Sequence, residues 1–217
     1  MHPGDPCYAI LTTNVLKQIK EASVSTCTEL TILEVINIVG MVGAGKSTLI
    51  KVLAFWCYKN GCRMTIVVDT VAEVMNLQKY LSALGVTASP LIGRSERMKY
   101  INQVAQPYET CLSADFSQYL TPLCLVDGMD AQHSEAVAFG KEPCYTLKKG
   151  NKNHLCPYFH QCLGTRMLRE CYTASVVITT VAGFAASRIG AQRETFLELV
   201  MRDFDVVVFD ESDRVQK

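Results

Sequence analysis

Short apolar runs alternate with longer amphipathic ones along most of this chain, and the alternation breaks once, in the middle. Leu33-Glu-Val-Ile-Asn-Ile-Val39 is β-branched and apolar and runs into a glycine-rich turn, the pattern of a strand buried on both faces. Lys46–Tyr58 has helical character, and Asn60-Gly61 supplies its stop. Met64-Thr-Ile-Val-Val68 predicts a second buried strand, and Val71–Leu84 an amphipathic helix closed by Gly85. Val86–Ile92 predicts a third strand and Ser95–Val104 another helix. Ahead of all these, residues 1–30 are polar and irregular, with one short helix expected at Asn14–Ala22.

From Pro107 to about Tyr172 no clean period survives, and prolines recur at 107, 122, 143 and 157. The alternation then returns. Ser175–Thr180 reads as a strand, Val181–Ser187 and Arg193–Arg202 as helical pieces, and Asp205–Phe209 as a last buried strand. Strand–helix alternation with short connections predicts an α/β fold, a parallel sheet with helices on both faces. A stretch of roughly 65 residues exceeds ordinary connection lengths, so it reads as an insertion. The expected organisation is an N-terminal extension (1–30), a first part of the α/β domain (31–106), a cysteine-rich insertion (107–172) and a second part of the domain (173–217).

Composition narrows the class. The chain has 217 residues, 49% of them apolar and 19% charged, which suits a globular protein with a core of its own. Twenty-one basic residues balance twenty-one acidic ones, so any claim on nucleic acid has to rest on a local patch. No run approaches the roughly 18 consecutive apolar residues of a membrane helix. The opening Met1-His-Pro-Gly-Asp has no basic segment leading into an apolar core, so no secretory signal and a cytoplasmic location are expected. In a reducing compartment, closely spaced members of the ten cysteines point to metal before disulfides.

Gly40-Met-Val-Gly43-Ala44-Gly45-Lys46-Ser47 fits the phosphate-loop pattern G-x-x-x-x-G-K-S/T, between a predicted strand and a predicted helix. Glycines let successive backbone N–H groups curl around phosphates where a Cβ would obstruct them. Lys46 would place its charge on the β- and γ-phosphates, and the Ser47 hydroxyl would ligate Mg²⁺. Thr48 extends the loop into the helix, whose positive end adds to the site. The nucleotide-binding set is therefore Gly40, Gly43, Ala44, Gly45, Lys46, Ser47 and Thr48. Val206-Val-Val-Phe209 runs into Asp210-Glu211-Ser212-Asp213, an apolar strand ending in acid, as the second half of such a site requires. Asp210 would hold Mg²⁺, and Glu211 would orient and polarise the attacking water. Lys46, Asp210 and Glu211 are the candidate catalytic residues.

Asp210-Glu211-Ser212-Asp213 resembles the D-E-x-D/H box of superfamily 2 helicases and translocases. The resemblance implies a RecA-like fold, and ATP hydrolysis coupled to motion along nucleic acid. Asp69-Thr70 falls where such proteins carry a nucleic-acid-contacting motif, and Thr179-Thr180 ends a strand ahead of the acidic box. For both pairs the plainer reading, polar strand ends, is the stronger.

The insertion carries Cys144-x11-Cys156-x5-Cys162-x8-Cys171, a complement suited to an iron–sulfur cluster or a structural zinc. Zinc sites more often use C-x2-4-C pairs, and the insertion has none. Cys156-Pro-Tyr-Phe159, followed by Cys171-Tyr-Thr-Ala-Ser-Val-Val-Ile-Thr-Thr, is similar to the insertion of iron–sulfur helicases of the DinG/XPD type. That resemblance implies a 4Fe–4S cluster, with zinc as the alternative and buried thiols with no metal as a third reading. Cys111 or Cys124 can replace Cys144 or Cys171 in the set. Lys141, Lys148, Lys149, Lys152, Arg166 and Arg169 stand against only Glu142 and Glu170 in 141–172, with Tyr145, Tyr158 and Phe159 among them. Bases and phosphates of single-stranded DNA suit that mixture.

The expectation is thus the ATP-binding motor domain of an iron–sulfur DNA helicase, with ATP, Mg²⁺ and a cluster as cofactors. The chain ends four residues after Asp213. The resemblance implies a second RecA-like domain or subunit to complete the ATP cleft. Two other classes stay open: a P-loop ATPase with a zinc-stabilised insertion and no unwinding activity, and a non-catalytic binding module.

Overall fold

The computed structural model describes residues 45–105, 118–121, 124, 126, 144, 147–149, 152–189 and 194–210. The chain divides into two compact units, 1–60 and 61–217. In the first, helix α1 (Lys46–Lys59) starts at Gly45 and stops at Asn60, whose amide and side chain both donate to the Trp56 carbonyl. Gly61, which opens the second unit, has φ 73°. That left-handed conformation favours glycine and ends the run as its sequence suggests.

The second unit is built on a four-stranded parallel sheet. Its strands are β1 (Met64–Val68), β2 (Ala88–Leu91), β5 (Val176–Thr180) and β8 (Val206–Phe209), in the spatial order β2-β5-β1-β8. All five residues of β1 and of β5 are buried. Successive side chains point to opposite faces, so burial without alternation means that both faces of the central strands are covered. This is a mixed α/β fold, and its β-branched runs follow from that double burial.

Helix α2 (Val71–Ala83) follows β1. Thr70 accepts from the Glu73 amide while Glu73 accepts from the Thr70 amide, a reciprocal cap that fixes where the helix starts. Gly85, with φ 79°, turns the chain into β2. Helix α3 (Arg94–Ala105) follows β2. The chain then returns to the middle of the sheet as β5, beside β1. The predicted insertion lies within this β2-to-β5 crossover. Its described parts are an antiparallel hairpin, β3 (Leu147–Lys149) with β4 (Lys152–His154), a 3₁₀ turn (Leu163–Thr165) and helix α4 (Arg166–Glu170). Helix α4 is tied to the sheet: the Ser89 hydroxyl on β2 donates to Glu170 at 3.0 Å. The end of the insertion is therefore part of the body rather than an appendage.

After β5 come α5 (Val181–Ala186), a two-residue ladder of β6 (Arg188–Ile189) with β7 (Glu194–Thr195), and α6 (Phe196–Asp203). The helix expected from Arg193 starts at Phe196 instead. Thr195 forms a reciprocal cap with Glu198, and pairing with Arg188 and Ile189 commits Glu194 and Thr195 to extended backbone. Phe184, Phe196, Phe204 and Phe209 form an edge-to-face chain with centroids 5.5–6.0 Å apart, which joins α5 and α6 to β8. The strand expected at 33–39 and the helix expected at 14–22 lie outside the described residues.

Candidate functional site

Parallel registry brings the carboxyl ends of the strands to one edge of the sheet. Val67 pairs with Phe209 and Val68 with Thr180, while Leu91 pairs with Thr179. The Asp210 amide donates to the Val67 carbonyl at 2.8 Å, which carries the ladder one residue past β8 and sets Asp210 at that edge. Asp210 is half-buried and Asp69 exposed. The carboxyl edge is where open parallel sheets hold ligands, since helix N-termini and flexible turns gather there. Glu211 lies outside the described residues.

Three of the four strand-end residues, Thr70, Thr179 and Thr180, are used internally. The Thr179 hydroxyl donates to the Leu91 carbonyl at 2.8 Å. Thr180 accepts from the Gly183 amide at 3.0 Å and donates to Glu96 at 2.7 Å, which caps α5 and ties it to α3. Gly183 is required for this packing, because a Cβ there would come within 2.4 Å of the Thr179 hydroxyl and 3.0 Å of the Leu91 carbonyl. Thr70 is spent on the α2 cap. These bonds account for the three threonines as polar strand ends.

In the first unit, Gly45 has φ 85° and ψ 14°, a left-handed conformation that costs an L-residue roughly 1–2 kcal/mol. It opens α1 with no side-chain cap and no acidic residue in the first turn. By contrast α2, α5 and α6 all close their first turns with a threonine hydroxyl. Gly45 has no side chain with which to close the opening N–H groups of α1, and helix starts of this kind are suited to anions. Lys46 is half-buried, and Ser47 and Thr48 are exposed in that turn. Gly40, Gly43 and Ala44 lie outside the described residues.

The crossover holds a second candidate. Cys124, Cys144, Cys156 and Cys162 line one small cavity of about 10 Å³ with Val126, Tyr158, Phe159 and Thr165. No carboxylate or ammonium stands among those residues. The Cys156 amide donates to the Cys144 carbonyl at 2.9 Å, which places these two cysteines side by side at the base of the β3–β4 hairpin. Cys162 is brought in by a tight turn: its amide donates to the Tyr158 carbonyl at 2.7 Å. Arg169 fixes that turn, donating from Nη1 to the carbonyls of Phe159 (2.5 Å) and Cys162 (3.0 Å) and to the Thr165 hydroxyl (2.6 Å). Among the described residues no three His, Cys, Asp or Glu side chains form a preset metal shell, so the thiols share a wall rather than a coordination geometry. Four thiols around an apolar space are nevertheless a donor set that fits zinc or an iron–sulfur cluster.

Cys171 does not line this cavity. It is fully buried, and its carbonyl accepts from Arg63 Nη2 at 2.6 Å. Burial first, then the neighbouring Glu170 carboxylate, pushes its thiol far above the usual range. Cys124 stands in the wall in its place, and Cys111 lies outside the described residues. Its wording gave little signal, because Thr121-Pro-Leu-Cys124 lies well outside the cysteine-bearing text that carries the resemblance.

The basic surplus divides. Arg166 is engaged with Glu170 at 2.6 Å and Gln118 at 2.6 Å, and stacks on Tyr119 with 4.7 Å to the ring centroid. Arg169 is occupied by the cavity turn. Lys152 is exposed on the hairpin beside β3, which carries Lys148 and Lys149. Sequence reasoning missed the positioning roles of Arg169 and Arg63; only the Thr165–Arg169 helical spacing hinted at the first. No helix among the described residues is long and apolar enough to cross a membrane. No family model, curated protein or solved structure matches the chain.

Proposed function

We propose that this chain is the ATP-binding RecA-like domain of an iron–sulfur DNA helicase, completed by a second RecA-like domain or subunit. The supporting observation is Gly45: a left-handed glycine opens an uncapped helix whose first turn is Lys46-Ser47-Thr48. That combination leaves amide donors, a helix dipole and an ammonium group together, the chemistry a polyphosphate requires. Four parallel strands ending in Asp210 at their carboxyl edge are compatible with the same fold.

In this reading Lys46 neutralises charge on the β- and γ-phosphates, Ser47 and Asp210 hold Mg²⁺, and Glu211 orients water for hydrolysis. Cys124, Cys144, Cys156 and Cys162 hold a cluster, with Cys171 left as a structural thiol. When bound, a cluster would supply thiolate bonds that tie Cys124 to the Cys144, Cys156 and Cys162 segment. Single-stranded DNA is the proposed track.

Gly45→Val tests the nucleotide half. A β-branched residue does not tolerate φ 85°, so affinity for a fluorescent ATP analogue should fall by about a hundredfold, close to 3 kcal/mol. Wild-type affinity in this variant would refute the loop. Iron and acid-labile sulfide in anaerobically purified protein test the cysteine half, and zinc without iron would favour an ATPase with a zinc-held crossover.

A further inference from the structure

Cys144 and Cys156 are brought together by backbone before their side chains are considered. The Cys156 amide donates to the Cys144 carbonyl at 2.9 Å, so even at full stretch their Cα atoms stand no more than about 7 Å apart, and less at real bond angles. Disulfides span Cα separations of about 4.4–6.8 Å. Of the four cysteines on the cavity wall, only this pair is joined backbone to backbone. Their side chains meet as well. Each is 8% exposed, and the two pack in one buried cluster with Phe159, against which Val126 lies. Both are reduced in this structure. Cys144 precedes β3 and Cys156 follows β4, so the two thiols stand on opposite legs of one hairpin.

We propose that Cys144 and Cys156 form a reversible disulfide, with a small-molecule disulfide such as oxidised glutathione as the oxidant, and that this bond staples the root of the β3–β4 hairpin. One protein thiolate attacks a sulfur of the oxidant and expels one small thiol, leaving a mixed disulfide. The second protein thiolate attacks the protein sulfur of that bond and expels the other small thiol. Two protein S–H bonds are lost and one S–S bond forms, while the oxidant is reduced to two thiols that carry the protons. The loop so closed contains the whole hairpin, whose ladder is only three residue pairs long. So short a ribbon is marginal by itself, and a covalent link at its root restricts its opening. Sulfur in this bond cannot ligate a cluster at the same time, and the pairing stands whether or not metal binds.

Disulfide mapping of the full chain, before and after chelation of metal, tests the pairing. The protein is equilibrated anaerobically with oxidised glutathione, alkylated and digested with trypsin. Cleavage after Lys141, Lys148, Lys152 and Arg166 leaves Cys144 on 142–148, and Cys156 with Cys162 on 153–166. Chelated protein should give these two peptides linked, with fragment masses placing the bond on Cys156, at least tenfold over any other pairing of the four cysteines. Dithiothreitol should reverse the link. Cys162→Ser should keep it and Cys156→Ser should lose it. Amides of β4 should exchange with solvent about tenfold more slowly in the oxidised chain than in the reduced one. Absence of the linked pair, or a bond placed on Cys162, would overturn the proposal, and a link with unchanged exchange would overturn the staple. A link formed equally with and without chelation would count against metal on these two thiols and leave the pairing intact.

Discussion

The amide of Cys156 donates to the carbonyl of Cys144 at 2.9 Å, although eleven residues separate them in the chain. That one bond brings two thiols to a common wall, where Cys124 and Cys162 join them. Serine at any of these four positions should lower bound metal by at least half, measured by elemental analysis on purified protein. Cys171→Ala should leave metal content unchanged and cost about 1 kcal/mol in urea unfolding, the loss of a small buried group. Metal lost with Cys171 and kept without Cys124 would reverse the assignment.

Arg169 holds three oxygens of the cavity turn at once. Removing the guanidinium leaves the part-buried Phe159 and Cys162 carbonyls without this charged donor. Arg169→Met should destabilise the fold by about 2 kcal/mol and slow metal reloading, both readable by denaturant titration with and without added metal.

Arg63 plays a comparable part at the amino end of β1. Its guanidinium donates to the carbonyls of Cys171 (2.6 Å) and Ala174 (3.3 Å) and stacks on Phe204 with 4.1 Å to the ring centroid. Its own amide donates to Asp205 at 2.7 Å. Arg63→Ala should cost about 2–3 kcal/mol, whereas Arg63→Lys should recover little, because one ammonium cannot reproduce the planar fork.

Thr179→Val distinguishes a strand-end role from a groove role. The hydroxyl donates to the Leu91 carbonyl within the sheet. Stability should fall by about 1 kcal/mol while oligonucleotide affinity stays unchanged. A selective loss of nucleic-acid binding would return this residue to the groove.

Tyr172 donates to Glu194 at 2.6 Å, and Arg202 meets the other carboxylate oxygen at 2.8 Å. The Tyr172 hydrogen bond first, then Arg202, lowers the Glu194 pKa, so its contribution is present above the usual 4.5 and is lost as pH falls below it. Burial first, then Glu194, raises the Tyr172 pKa, so its contribution is present below the usual 10 and is lost as pH climbs beyond it. Tyr172→Phe should flatten the alkaline limb of stability against pH and reduce the acid one. Identical profiles would contradict the pairing.

The centre of the sheet was legible because β1 and β5 are buried on both faces, and such runs announce themselves without alternation. β8, expected to be buried, instead leaves Val207 and Phe209 exposed, because among the described strands it has a neighbour on one side only. Met64–Val68 came out at its observed bounds, and the helices after β1 and β2 within a residue or so of theirs. What the sequence could not carry was order and closure. Nothing local says that β5 returns between β2 and β1, since that depends on pairing across more than 80 residues. The hairpin was missed because three residues a side, rich in lysine, carry no hydrophobic period. Cys124 entered only as a substitute because it joins Cys144, Cys156 and Cys162 through tertiary packing across some twenty residues and more, which no local spacing shows.

The proposed nucleotide-binding function rests on two separate roles, Lys46 for the phosphates and Asp210 for Mg²⁺. ATP affinity should be measured with and without Mg²⁺ for the wild type, Lys46→Ala and Asp210→Asn. Lys46→Ala should abolish binding in both conditions. Asp210→Asn should keep the metal-free affinity and lose only the gain that Mg²⁺ brings. Undiminished binding by Lys46→Ala, or a full Mg²⁺ gain in Asp210→Asn, would contradict the account.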